Sequence, residues 1–174
     1  GVLSRASGDA GEHLQEVDDK VDHIKSKMDL LDVSKVNVVT PVNGSTITIL
    51  RGDTFIATLT DIGNLTNYIS LDFTVKKAKS EPDTAALIRI RKNVSGVDDG
   101  LLVLNGAEPT TETGSITVDD IAAGDITITL DETATDDLPI GSYSYDVQMI
   151  TATEVKTLTS GNLKVIGDVT RAIV

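Results

Sequence analysis

The chain has 174 residues, 40 % apolar and 24 % charged, which suits one ordinary domain with an appendage and excludes a disordered composition. It has no cysteine and no tryptophan, so disulfides, Fe–S clusters, zinc–thiolate sites and cysteine nucleophiles are excluded. Twenty-seven acidic residues against fifteen basic ones give a formal charge of −12, a poor match for phosphate backbones or anionic lipid, so neither nucleic acid nor membrane is an expected partner.

In chain order, residues 1–11 read as a flexible segment with Gly8 and Gly11, and Gly1-Val2-Leu3-Ser4-Arg5 carries no hydrophobic signal core. A start on Gly rather than Met leaves a removed leader open. Asp9 followed by Glu12 resembles a capping box. Residues 12–32 then place apolar side chains at Leu14, Val17, Val21, Ile24, Met28 and Leu31, at spacings 3, 4, 3, 4, 3. That is an a/d heptad, with Leu14, Val21 and Met28 at a and Val17, Ile24 and Leu31 at d.

A stripe this narrow suits a seam between like helices, because a helix lying on a globular core needs a wider apolar face. The spacing therefore predicts a coiled-coil oligomerisation helix. Branched Val17 and Ile24 at d lean toward three or four strands, so a homotrimer is favoured. The bland alternative is an amphipathic helix folded onto its own domain. About three heptads is short, and isolated helices of that length are marginal, so an oligomer here needs help from a neighbouring domain. Residues 33–44 read as a hinge.

From Val36 onward the apolar period changes to 2. Ile47 and Ile49 alternate with Thr46 and Thr48; Phe55, Ala57 and Leu59 with Thr54, Ile56 and Thr58; Leu71, Phe73 and Val75 with Asp72, Thr74 and Lys76. Ile88 and Ile90 alternate with two arginines, and Leu102, Leu104, Ile116 and Val118 give shorter runs. Ile126, Ile128 and Leu130, then Tyr143, Tyr145, Val147 and Met149, are the cleanest alternations; Val155–Leu158 and Leu163–Ile166 close the series. These are half-buried strands by pattern and β-branched content.

Turn signals separate them, among them Arg51-Gly52-Asp53, Glu81-Pro82-Asp83, Asn105-Gly106, Ala123-Gly124-Asp125, Pro139-Ile140-Gly141 and Ser160-Gly161. About eight to ten short strands with no further helical repeat predict a mainly β fold, an antiparallel sandwich over 45–174.

Chemistry-bearing motifs are sparse. Arg51-Gly52-Asp53 matches a tripeptide read by some adhesion receptors, yet between two strands it reads as a turn. The sequons at Asn43, Asn64 and Asn93 occur at about chance frequency in so Thr-rich a chain. His13 and His23 stand about 15 Å apart on a helix and cannot share a metal within one chain. Asp98-Asp99-Gly100 and Asp119-Asp120 lack the ligand spacing of a calcium loop. Phosphate loops, nucleophile elbows and dinucleotide fingerprints are absent, and five aromatics are few for a sugar-cleaving cleft. No catalytic, metal or cofactor residue is expected.

Two segments carry a family resemblance. One is Ile49-Leu50-Arg51-Gly52-Asp53-Thr54-Phe55, leading to Phe73-Thr74-Val75-Lys76-Lys77. The other is Leu138-Pro139-Ile140-Gly141-Ser142-Tyr143-Ser144-Tyr145-Asp146-Val147-Gln148, followed by Leu158–Val165 and Asp168-Val169-Thr170-Arg171. This order resembles small immunoglobulin-like structural proteins of tailed bacteriophages, and the N-terminal domain of phage baseplate upper proteins is a named relative. The resemblance spans about 45 to 171 and implies an immunoglobulin-like sandwich, no enzymatic activity and a place in the virion among other virion proteins. The heptad in front departs from that family and resembles an anchoring segment of a phage appendage.

The expectation is thus a non-enzymatic structural component of a tailed-phage particle, in baseplate, tail or capsid surface. The rival is a β-sandwich that binds a host surface or carbohydrate. A secreted adhesion domain is a third alternative. The apolar, β-prone end Ala172-Ile173-Val174 is an expected assembly contact, with a final edge strand of the domain's own sheet as the alternative.

Overall fold

The computed structural model describes residues 36–39 and 44–167. The predicted seam (Leu14, Val17, Val21, Ile24, Met28, Leu31) and the end Ala172, Ile173 and Val174 lie outside the described residues. The first strands are β1 (Val36–Val39), β2 (Ile47–Leu50), β3 (Thr54–Leu59), β4 (Ser70–Lys76), β5 (Ile88–Asn93) and β6 (Gly100–Leu104). Then follow β7 (Gly114–Asp120), β8 (Asp125–Leu130), one short helix α1 (Glu132–Asp136), β9 (Gly141–Ile150) and β10 (Val155–Ile166). The mainly β expectation is met. Among the described residues the strands form a four-stranded sheet, β1-β3-β8-β7, and a six-stranded sheet, β2-β10-β9-β4-β5-β6.

Inward side chains of both sheets meet in one core. Phe55, Ala57, Leu59, Ile126, Ile128 and Leu130 come from the first sheet, and Ile49, Phe73, Val75, Ile90, Val147 and Val165 from the second. Tyr145 is 2 % exposed, and its ring lies 5.9 Å from that of Phe73, tilted by 43°. Its hydroxyl donates to the Ser45 carbonyl at 3.0 Å, so the one polar atom on this core ring is satisfied. The alternation of the sequence thus becomes burial at every second residue of β3, β8 and β9.

The structure corrects the sequence reading at several points. Pairing is not wholly antiparallel: β1 runs parallel to β3 and β2 parallel to β10, both at sheet edges. Val36–Val39, placed in the expected hinge, already belong to a sheet. Ser160-Gly161 is no turn; β10 runs through it, with an irregularity between Thr157 and Thr159. A bulge opposite Arg89 and Ile90 shifts β6, so Leu101 rather than the expected Leu102 lies opposite the core residue Ile90, while Leu104 lies opposite Ile88. Val155 is 65 % exposed. One turn of helix, α1, was missed: Asp131 caps it, its Oδ1 accepting from Ala134 N at 2.8 Å, and ties it to the start of β7 by accepting from Thr113 N.

Candidate functional site

The feature that stands out lies on the outer face of the six-stranded sheet. Period 2 sends Asp72, Thr74 and Lys76 of β4 to the side away from the core, together with Ser144, Asp146 and Gln148 of β9. Register aligns them in rows across the strands. Asp146 faces Thr74 on one side and Ser160 on the other; Gln148 faces Asp72 and Thr157. These side chains line a half-open groove of about 270 Å³, to which Lys79 and Asp83 contribute from the segment after β4. That segment is held down because Lys76 Nζ donates to the Glu81 carbonyl at 2.7 Å and pairs with Asp83 at 2.7 Å.

Most of the charge here is neutralised within the protein. Asp72 is 6 % exposed, far less than the alternation suggested for a residue off the core face. Arg91 covers it from β5 through two bonds, Nε to Oδ1 at 2.7 Å and Nη2 to Oδ2 at 2.8 Å, and Arg89 Nη2 adds a third at 3.0 Å. Arg89 Nε is buried and has no hydrogen-bond partner among the described residues. Burial alone would raise the Asp72 carboxyl; the bonds and charges of Arg91 and Arg89 outweigh it and hold the group below its ordinary value.

Asp146 is the opposite case. Burial pushes its carboxyl up; Lys76 and the Gln148 bond offset this in part, while Asp83 and Asp72 add to it. Gln148 Nε2 donates to Oδ2 at 3.2 Å, and Oδ1 has no hydrogen-bond partner among the described residues.

The signs of these shifts fix a pH experiment. A carboxylate held below its unfolded value stabilises the fold at pH above about 3.9, and that contribution disappears as pH falls through the folded value. Asp72→Asn should therefore cost about 2 kcal/mol near neutrality, the worth of hydrogen bonds to a charged group. The gap to wild type should close in acid. A constant gap from pH 7 down to acid, followed by chemical denaturation, would show that Asp72 acts by packing alone. Asp146 has the reverse sign, because its ionisation opposes folding as pH rises past its unfolded value. Asp146→Asn should leave stability at pH 7 unchanged or slightly raised.

The sequence motifs resolve into structural roles. Arg51-Gly52-Asp53 is the turn from β2 to β3: Arg51 Nη2 donates to the Asp136 carbonyl at 2.8 Å, and Gly52 N donates to Thr135 Oγ1 at 3.1 Å. Two sequon asparagines shape loops, Asn64 Oδ1 accepting from Thr66 N at 2.8 Å and Asn93 Oδ1 from Ser95 N at 3.1 Å. Asp99 accepts from Asn93 N and from Lys92 Nζ, which makes it a loop brace. Among the described residues no group of three or more His, Cys, Asp or Glu is placed to hold a metal ion. No helix there is long and apolar enough to cross a membrane.

No protein-family model matches the chain, and no curated protein matches it at a significant level.

Proposed function

We propose that this protein is a non-enzymatic structural component of a tailed-phage particle, an immunoglobulin-like sandwich held in the assembly by the segments that flank it. One observation carries the reading: the first and last described strands have their outer ends on the same side of the domain. Val36, where β1 begins, is in register with Thr54, and the Ile166 carbonyl, at the end of β10, accepts from Arg51 N at 3.0 Å. The described domain thus begins at Val36 and its last strand ends at Ile166 on the same side, beside the Arg51–Asp53 turn. A domain tethered at one end by an oligomerising helix and a docking tail suits an appendage. The resemblance motifs agree with a scaffold role. The Tyr143 hydroxyl donates to the Pro139 carbonyl at 2.8 Å, and Leu163 and Val165 are core residues.

The direct test is mass spectrometry of phage particles purified from the source strain. The chain should sediment with the particles in fixed stoichiometry with other virion proteins; its confinement to the soluble lysate would sink the proposal. The tether has its own test. Full-length protein should be a homo-oligomer, a trimer by the branched d residues, in light scattering. Val21→Asp with Ile24→Asp would bury unpaired carboxylates in the seam and should give a monomer that keeps its β-type circular dichroism. A wild-type monomer at high micromolar concentration would mean that the heptad does not assemble by itself.

A further inference from the structure

The groove over β4 and β9 does something that packing does not require. An outer sheet face with no partner needs only to be soluble, and long charged side chains standing in water achieve that. Here the face is roofed at one side, half-buried, and floored with short hydrogen-bonding groups: Thr74, Ser144, Asp146, Gln148, Thr157 and Ser160. Burying a carboxylate in such a place is unfavourable, and the Asp146 carboxyl shows that cost in its upward shift. Asp146 stands in a row with two hydroxyls, Thr74 and Ser160, one on each neighbouring strand, so an acceptor and two donor–acceptor groups lie side by side across three strands.

The charges narrow the class of ligand. Asp72 is neutralised by Arg89 and Arg91, and Lys76 by Asp83. The carboxylates Asp72, Asp83 and Asp146 thus stand against Lys76, Lys79 and the two arginines on Asp72, so both signs of charge are present in the groove. A cation entering the groove meets Lys76, Lys79 and the two arginines behind Asp72. An anion meets Asp146 and Asp83. A neutral molecule with many hydroxyls meets no opposing charge, and it exchanges hydrogen bonds with a carboxylate, an amide and hydroxyls on adjacent strands. The volume of about 270 Å³ lies near the ~300 Å³ lower end of small-molecule clefts, room for one ring rather than a chain.

We propose that the groove between Thr74, Asp146 and Ser160 binds a neutral saccharide unit, with Asp146 accepting from its hydroxyls. Tyr145, the aromatic residue that lines the groove, is 2 % exposed and offers no face for stacking, so a single site binds in the millimolar range. Repetition of the domain in an oligomer would convert such sites into useful avidity.

The test is a titration of the full chain with methyl glycosides of glucose, galactose, N-acetylglucosamine and rhamnose, followed in ¹H–¹⁵N spectra up to about 50 mM, well above a millimolar Kd. n-Propylammonium serves as the cationic probe. At least one glycoside should shift the amides of Thr74, Asp146 and Ser160. Asp146→Asn should weaken that glycoside at least about tenfold, the loss expected for a charge-assisted hydrogen bond, with the spectrum outside the groove unchanged. Thr74→Val, which keeps side-chain shape, should weaken it as well. Silence with all four glycosides, shifts confined to another face, or undiminished binding by Asp146→Asn would overturn the proposal. So would tighter binding of n-propylammonium at the same amides, which would make the groove a cation site. None of these outcomes bears on incorporation into particles.

Discussion

Gly124→Ala should cost at least about 4 kcal/mol, at the upper end of single substitutions. Gly124 closes the turn between β7 and β8 with φ +79°, a backbone conformation that costs an L side chain about 1–2 kcal/mol. The larger cost is steric. A Cβ at this position would lie 2.0 Å from the carbonyl oxygen of Gly63 and 2.7 Å from its carbonyl carbon and nitrogen, all backbone atoms that cannot rotate away. Moving them would break the bond from Ile62 N to the Gly124 carbonyl at 3.0 Å and disturb that from Leu65 N to Ile121 at 2.9 Å, which hold the 60–69 loop. The control is Gly96→Ala, where φ is +75° but no atom lies within 4 Å of the added methyl. It should cost about 1 kcal/mol. At roughly 2–4 °C per kcal/mol for a chain of this size, the two variants should differ by about 6–12 °C in Tm. Equal melting temperatures would mean that the Gly63–Gly124 approach does not exist in solution.

Gly124 and Gly161 together show what a sequence can and cannot convey. They look alike as punctuation between apolar runs, and the sequence pattern marks both as turns. Gly124 is one. Gly161 lies inside β10, where a Cβ would come 2.9 Å from the Gly44 carbonyl oxygen and 2.9 Å from the Tyr145 ring. Its small size serves a close approach of chain segments far apart in sequence, and no local pattern distinguishes that from a turn. Partner choice is hidden for a similar reason. Alternation in β2 and β10 says that each has a buried face, but nothing local says that they pair in parallel.

Strand faces, by contrast, were legible wherever one face is core and the other is not. The outer face was legible only as "away from the core". Asp72 shows the gap: period 2 assigns it a side of the sheet, and only register reveals that Arg89 and Arg91 stand beside it and cover it. The groove shares that property. Its floor comes from three strands between residues 72 and 160, each side chain the outward half of an ordinary alternation, and Lys79 and Asp83 join it from the segment after β4. Composition flagged none of them, because Thr, Ser and Asp are abundant throughout the chain.

Ile128→Ala should cost about 2–5 kcal/mol, and Thr127→Ala about 1 kcal/mol or less. The two residues are neighbours on β8, so the contrast tests which face is buried. Ile128 is fully buried and lies in a row between Ala57 of β3 and Ile116 of β7. Ala57 is too small to fill the space left by a truncated isoleucine, so a cavity would persist between the sheets. Thr127 points the other way, where its hydroxyl donates to Asp119 Oδ2 at 2.6 Å on an exposed surface. Losing that bond returns both groups to water, which limits the cost. A register slip of one residue in β8 would exchange the two outcomes, because it moves every side chain to the opposite face. Similar costs at both positions, measured by urea denaturation at neutral pH, would mean that β8 is buried on both faces and that a further layer covers the four-stranded sheet.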